Sequence, residues 1–424
     1  MNSALLSQVL LSLAFVVAVA RLGGFLLKRV GQPAVVGEIL AGILLGPSLL
    51  GLLAPRLAHL LLPAEVKPYL TLLAQLGLVI FMLIVGIEVE LATVGRRAPT
   101  VGAVAFGAAV LPFLLGILFA LVTWRWYAVQ VSRVAFLLYI GVAVAVTAFP
   151  VLARILRDRG LATTPMGSLA LSCAAVIDVA AWLLLAGVIA LAGKTDRSPW
   201  LMLILATAFV LVMLLVVRPG LRALQRRGTF AKMSPQAVLI AVLVASVLAA
   251  CFTEKIGLHT IFGPFMVGLC LPRVPSVVDM VIDRAADVSS GLLLPAFFVV
   301  AGTQVDVRAL RARDLGVLAV VVVLSMSGKI FGAAGPARLT GLSLRDSLTL
   351  GVLLSTRGLT ELVVLAVGAA AGLLTPTLYT ILVINAVVTT LATGPLLTLI
   401  ERSGARAARP VADQRPVSVT ASRR

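Results

Sequence analysis

The chain has 424 residues, of which 61% are hydrophobic and 12% charged, against about 25% charged in an ordinary soluble domain. With a mean hydropathy of +1.12, this composition excludes a soluble enzyme and puts most of the chain in lipid. The formal charge of +18 sits between apolar runs, which points to cytoplasmic loops and anionic headgroups and away from nucleic acid.

Thirteen apolar segments are long enough to cross a bilayer at roughly 20 residues per span. In chain order they are 6–28, 33–53, 68–90, 98–123, 133–155, 164–192, 199–217, 234–254, 258–273, 288–303, 315–337, 345–373 and 376–402. The reading is an all-α integral membrane protein whose residues 1–402 form one transmembrane domain. The first segment resembles a signal peptide only in position; it lacks a basic flank and runs long, so it reads as a retained helix. Residues 403–424 are Arg-rich, contain Pro410 and Pro416, and read as a disordered basic cytoplasmic tail. With the N-terminus outside, Lys and Arg of the inside connections and tail outnumber those outside by about two to one, as the positive-inside rule requires. An odd number of spans then leaves the C-terminus cytoplasmic, and the expected location is a plasma membrane, with the abundance of Arg suggesting a bacterial inner membrane. Cys173, Cys251 and Cys270 lie in or beside apolar runs without a C-x-x-C spacing, so they read as packing residues and not as a disulfide or zinc framework.

A charge at mid-membrane costs roughly 2.5–3.5 kcal/mol on insertion scales, so each one requires a reason. Asp178, in Ala175-Val-Ile-Asp-Val-Ala-Ala-Trp, is near the centre of its span, with Arg159 and Lys194 the nearest charges in sequence. A desolvated carboxylate favours its protonated form more than it does in water. It can hold a proton or, once ionised, a small cation; the alternative is a structural Asp paired between helices. Lys329, in Ser325-Met-Ser-Gly-Lys, is deep in another span. It is the natural charge partner of Asp178, or else a structural clamp or a stem that snorkels to the interface. Arg357 and Glu361 stand at i, i+4 and share a helix face, as a scaffold ion pair or a gate. Glu88 and Glu90 end the third span near Arg96 and Arg97, in an interfacial or a functional role. Glu38 reads as a residue at a cavity mouth, Glu254 and Asp306 as solvated segment ends, and His59 and His259 as pH sensors or incidental histidines.

Two spans carry signs of interruption. The fifth contains Val146-Thr-Ala-Phe-Pro, and Pro150 removes a backbone donor and frees a carbonyl one turn back. Such carbonyls, with the Thr147 hydroxyl, suit a desolvated cation. The twelfth contains Ser355-Thr-Arg-Gly. The two lie seven spans apart, and an odd offset reverses orientation in the membrane. Interrupted helices at matched places in oppositely oriented halves mark an inverted-repeat secondary transporter.

At these residues the chain resembles the second branch of the monovalent cation:proton antiporter superfamily, which includes bacterial sodium/proton antiporters, glutathione-gated potassium efflux systems and plant cation/proton exchangers. The stretches that carry the resemblance begin with Gln32-Pro-Ala-Val-Val-Gly-Glu, Gly77-Leu-Val-Ile-Phe and Thr147-Ala-Phe-Pro-Val-Leu-Ala-Arg. They continue with Ala175-Val-Ile-Asp, Pro295-Ala-Phe-Phe, Ser327-Gly-Lys-Ile and Thr356-Arg-Gly-Leu-Thr-Glu-Leu, the last close to the plant pattern. The resemblance implies a fold of a dimerisation part and a core part with two crossed broken helices. It also implies a homodimer, an ion-binding Asp at Asp178, its facing basic residue at Lys329 and the broken-helix Thr at Thr147. Relatives carry Asn or a second Asp just before the binding Asp, whereas this chain has Ile177. One carboxylate implies one proton per cation and electroneutral exchange; a proton lost by Lys329 in each cycle would make exchange electrogenic. The expected function is therefore exchange of Na⁺ or K⁺, held transiently at Asp178, for H⁺ by alternating access, without a cofactor. The competing readings are a cation channel, a symporter of organic anions and a scaffold without transport.

Overall fold

The computed structural model describes residues 3–88, 98–127, 131–192, 199–256, 260–272 and 275–407. All regular elements among them are helical. The principal ones are α1 (Ser3–Arg29), α2 (Ala34–Leu45), α3 (Lys67–Glu88), α4 (Ala98–Tyr127), α5 (Arg133–Ala145), α6 (Phe149–Asp158) and α7 (Pro165–Leu191). They continue with α8 (Pro199–Val212), α9 (Arg218–Arg226), α10 (Pro235–Lys255), α11 (Phe262–Cys270), α12 (Pro275–Val288) and α13 (Leu294–Thr303). The last are α14 (Ala312–Leu339), α15 (Leu344–Leu354), α16 (Leu359–Ala370) and α17 (Pro376–Ala407). Single π-turns, Met213–Val217 and Ser289–Leu293, join α8 to α9 and α12 to α13 without ending the helical path.

Ten helices among the described residues are long and apolar enough to cross a membrane. Three expected spans fold as shorter pieces. The fifth divides into α5 and α6, the twelfth into α15 and α16, and the ninth is the nine-residue α11. The expected boundary at 402 also moves, because the final helix continues to Ala407; residues 408–424 of the expected tail lie outside the described residues. The polar residues that start helices do so by capping: the Ser132, Ser234 and Ser343 hydroxyls accept the amides of Ala135, Ala237 and Asp346, which satisfies donors that a helix start leaves open.

The helices form two bundles. In one, α1 packs on α2 and α13, α2 on α13, and α3 on α11 and α13, with α10 against α11. In the other, α4 packs on α14 and α5, α7 on α4, α5 and α6, and α14 on α15 and α17. This second bundle repeats one sequence of parts, a long helix, an interrupted helix and a long helix, first as α4 to α7 and again as α14 to α17. The bundles touch where the Tyr379 hydroxyl donates to the Ala301 carbonyl at 3.2 Å and the Asp306 amide to the Thr380 hydroxyl at 3.2 Å.

Candidate functional site

Both interruptions lie inside the second bundle and cross each other. The helix α5 stops at Ala145 because Val146 turns to φ −58°, ψ 143°. Helical path resumes at Phe149, with Pro150 in the first turn of α6, where its missing amide breaks no hydrogen bond. At the second break, the Ser355 hydroxyl donates to the Val352 carbonyl at 2.7 Å and the Thr356 hydroxyl to that of Leu353. Gly358 then leads into α16. Its Cα faces α6 so closely that a Cβ there would stand 2.5 Å from Val151 Cγ2.

Three hydrogen bonds tie the breaks together. The Ala148 amide donates to the Thr356 carbonyl at 3.0 Å, the Thr147 hydroxyl to the Leu354 carbonyl at 3.1 Å, and the Thr360 hydroxyl to the Thr147 carbonyl at 3.4 Å. Unpaired backbone is costly inside a bilayer, and here each broken helix supplies partners for the other.

The charged residues follow from the helix ends that the breaks create. A helix C-terminus carries free carbonyls and partial negative charge. The last carbonyls of α5 are met by two cations. Arg357 donates through Nη1 to Ala143 O at 3.2 Å and through Nη2 to Val144 O at 2.5 Å, and Lys329 Nζ donates to Ala145 O. Arg357 Nη1 also binds Glu361 Oε1 at 2.7 Å, and Glu361 occupies the first turn of α16, where negative charge is favoured. A second tie to Arg357 comes from α17: Thr390 accepts the Arg357 amide at 3.2 Å and donates to its carbonyl at 2.7 Å.

Asp178, on α7, is 3% exposed and Lys329 is fully buried. The carboxylate faces the Phe149 amide at the start of α6, the positive end of that half-helix. Lys329 is near enough to act on it electrostatically, but no ion pair joins them. The expected direct pairing is replaced by hydrogen bonds from Lys329 to Ala145 O and, at 2.6 Å, to Thr147 Oγ1. The physical reason is that α5 ends beside the ammonium and offers neutral acceptors that would otherwise be orphaned. Asp178 Oδ1 consequently has no hydrogen-bond partner although it is buried. Carboxylate oxygen, hydroxyl and unwound backbone carbonyls in one dry place are the donor set that secondary transporters present to a monovalent cation or proton.

Five residues singled out in the sequence are thus brought together: Thr147, Asp178, Lys329, Arg357 and Glu361. The others are dispersed. The Glu88 side chain, Glu90 and His259 lie outside the described residues. Glu38 is buried on α2, its Oε1 beside Gly24 of α1. Asp306 pairs with Arg308 at 2.9 Å, and His59 is exposed on the rim of a cavity of about 570 Å³. Thr390 and Asn385 escaped the sequence reading because they are neutral. The signal for Asn385 was its recurrence with Thr389 and Thr393 at four-residue spacing, which puts a fully buried polar stripe on one face of α17, with Thr390 buried beside it. Asn385 accepts from Ser325, one turn before Lys329, at 2.9 Å.

This fold and site define a multi-pass membrane transporter. The family described as "Sodium/hydrogen exchanger, transmembrane" matches residues 14–400, and the chain belongs to it. The Na(+)/H(+) antiporter NhaS4 of Synechocystis is 37% identical over 94% of this chain and 98% of its own length. Cation/H(+) antiporter 20 of Arabidopsis thaliana is 38% identical over 91% of this chain, which spans only 48% of that protein. Among solved structures, the sodium proton antiporter MjNhaP1 of Methanocaldococcus jannaschii superposes with a TM-score of 0.64, covering 96% of this chain and all of that one at 14% identity, so it attests the fold alone. The family is one of transporters, not enzymes.

Proposed function

We propose that the protein exchanges Na⁺ or K⁺ for H⁺ across a membrane, with cation and proton competing for Asp178. The observation that carries this reading is the buried, unpartnered Asp178 Oδ1 beside the crossing of two broken helices. A proton closes that oxygen; an ionised carboxylate with the nearby hydroxyl and carbonyl oxygens holds a desolvated cation. One carboxylate cannot serve both, so release of one is the condition for binding the other. Lys329 keeps the empty, ionised carboxylate tolerable through space. With Ile177 offering no second carboxylate, each cycle moves one proton against one cation and is electroneutral. The second bundle rocks against the first and opens the site to each side in turn. The two halves α4–α7 and α14–α17 are, in this reading, an inverted repeat. The protein is taken to act as a homodimer in the plasma membrane with its C-terminus cytoplasmic, on the strength of the loop charges and the family.

The test is proton flux in proteoliposomes, followed with a lumenal pH dye at clamped potential on addition of Na⁺, K⁺ or Li⁺. A cation pulse should dissipate a preset pH gradient in the wild type and leave it intact in Asp178→Asn. Robust cation-driven proton flux in that variant, folded by size-exclusion chromatography, would overturn the competition mechanism.

A further inference from the structure

Away from the site, α4 and α14 line a groove of about 470 Å³ at one end of the second bundle. Its walls are aliphatic and aromatic, with Leu118, Val122 and Trp126 on α4 and Val320 and Leu324 on α14. Gly316 opens it further, since a Cβ there would meet nothing within 4 Å. The groove runs from residue 118 to 126 along α4, about 12 Å at 1.5 Å per residue, a depth comparable with one leaflet of a hydrocarbon core of about 30 Å.

The mouth is not apolar. Arg313 stands there, half-exposed, its guanidinium 5.1 Å from the Trp126 ring and 5.9 Å from the Tyr127 ring. These rings fix its position. Arg313 Nη2 forms an ion pair with Asp314 Oδ1 at 3.7 Å, beyond hydrogen-bond distance, so this carboxylate offsets one of the cations gathered here. The same carboxylate accepts the Tyr127 hydroxyl at 2.5 Å and the Arg311 amide at 2.9 Å. Arg125 in the last turn of α4 and Arg311 at the cap of α14 add charge at the same end. The positive-inside rule supplies no reason for this group, because it belongs to the connections read as facing outside.

We infer that this groove is a binding site for an anionic diacyl phospholipid, with an acyl chain along α4 and α14 and the phosphate on Arg313. Charge selects the occupant. A guanidinium presents a planar fork of donors that matches phosphate oxygens, and the aromatic platform sets it at the height of a headgroup. A zwitterionic lipid fills the same groove but brings its own cation to a place that already has an excess.

Native mass spectrometry of the purified full chain in detergent, titrated with phosphatidylglycerol and phosphatidylcholine of equal chain length, tests this. Wild type should retain phosphatidylglycerol about tenfold more tightly, because both lipids offer the same phosphate and only phosphatidylcholine adds a cation beside the arginines. Arg313→Gln should bring the two lipids level, and Gly316→Phe, which fills the groove and leaves every charge in place, should weaken both. Equal retention of the two lipids by wild type overturns the inference, as does unchanged preference in Arg313→Gln. Tight binding of glycerophosphoglycerol without its acyl chains would overturn the role of the groove. Neither variant touches the crossing, so cation-driven proton flux in each serves as the control for folding.

Discussion

Lys329 donates to the Thr147 hydroxyl at 2.6 Å, while that hydroxyl donates to Leu354 O at 3.1 Å. One hydroxyl therefore joins the buried cation of α14 to the break in α5–α6 and to the end of α15. Replacing Thr147 by Val keeps the shape and removes both bonds, leaving a buried ammonium and a buried carbonyl each short of a partner. The expected cost is about 1–3 kcal/mol. Proton flux should fall by about tenfold or more if the transition between states feels the same loss. Thr147→Ser should retain most activity. Full activity in Thr147→Val with loss in Thr147→Ser, measured in the same liposomes, would show that the methyl and not the hydroxyl matters.

Arg357 and Glu361 form a fully buried pair at 2.7 Å. Removing one partner of such a pair leaves an uncompensated charge and costs about 3–5 kcal/mol. Arg357→Met should be the more damaging single change, because it also uncovers the Ala143 and Val144 carbonyls. Arg357→Met with Glu361→Leu should be more stable than the sum of the two single changes, yet less stable than wild type. Thermal unfolding in detergent for all four proteins closes the cycle. Simple additivity would mean that the pair is not coupled.

The sequence was most informative where chemistry is conspicuous. Asp178 and Lys329 stood out because an ionisable group in an apolar run is rare, and Pro150 and Gly358 marked the two breaks because their backbone properties are unlike those of other residues. What remained hidden was relational. Nothing in the spacing of Lys329 told that the end of α5 would come beside it and divert it from Asp178. That depends on the crossing of helices about 180 residues apart in the chain. The segments before and after the interruptions were harder to delimit for a similar reason. Apolar composition reports burial in lipid or protein but not where a helix stops, as the nine-residue α11 and the extension of α17 to Ala407 illustrate.

Tyr127 and Asp314 lock α4 to α14 at the end away from the crossing, through a 2.5 Å hydrogen bond with Asp314 only 2% exposed. Tyr127→Phe removes the donor and keeps the ring under Arg313. A hydrogen bond to a charged group is worth about 1.5–3 kcal/mol. The variant should unfold at a lower temperature, while its dependence on cation concentration stays that of wild type. A shift in cation affinity would instead place this lock in the transport cycle.

Gly358 faces two obstacles to any side chain. The first is Val151, whose Cγ2 would be 2.5 Å from a new Cβ; the second is its own backbone at φ 159°, ψ −124°, a combination essentially reserved to glycine. Gly358→Ala should therefore destabilise by more than the roughly 1–3 kcal/mol of simple overpacking. Val151→Ala clears the first obstacle, since the Val151 Cβ would remain at 3.5 Å, an ordinary contact. Val151→Ala should thus restore part of the stability lost in Gly358→Ala while costing a little by itself. If the double variant is merely as unstable as the two single changes added together, the close approach of the half-helices is not what requires glycine here, and the backbone conformation alone accounts for the residue.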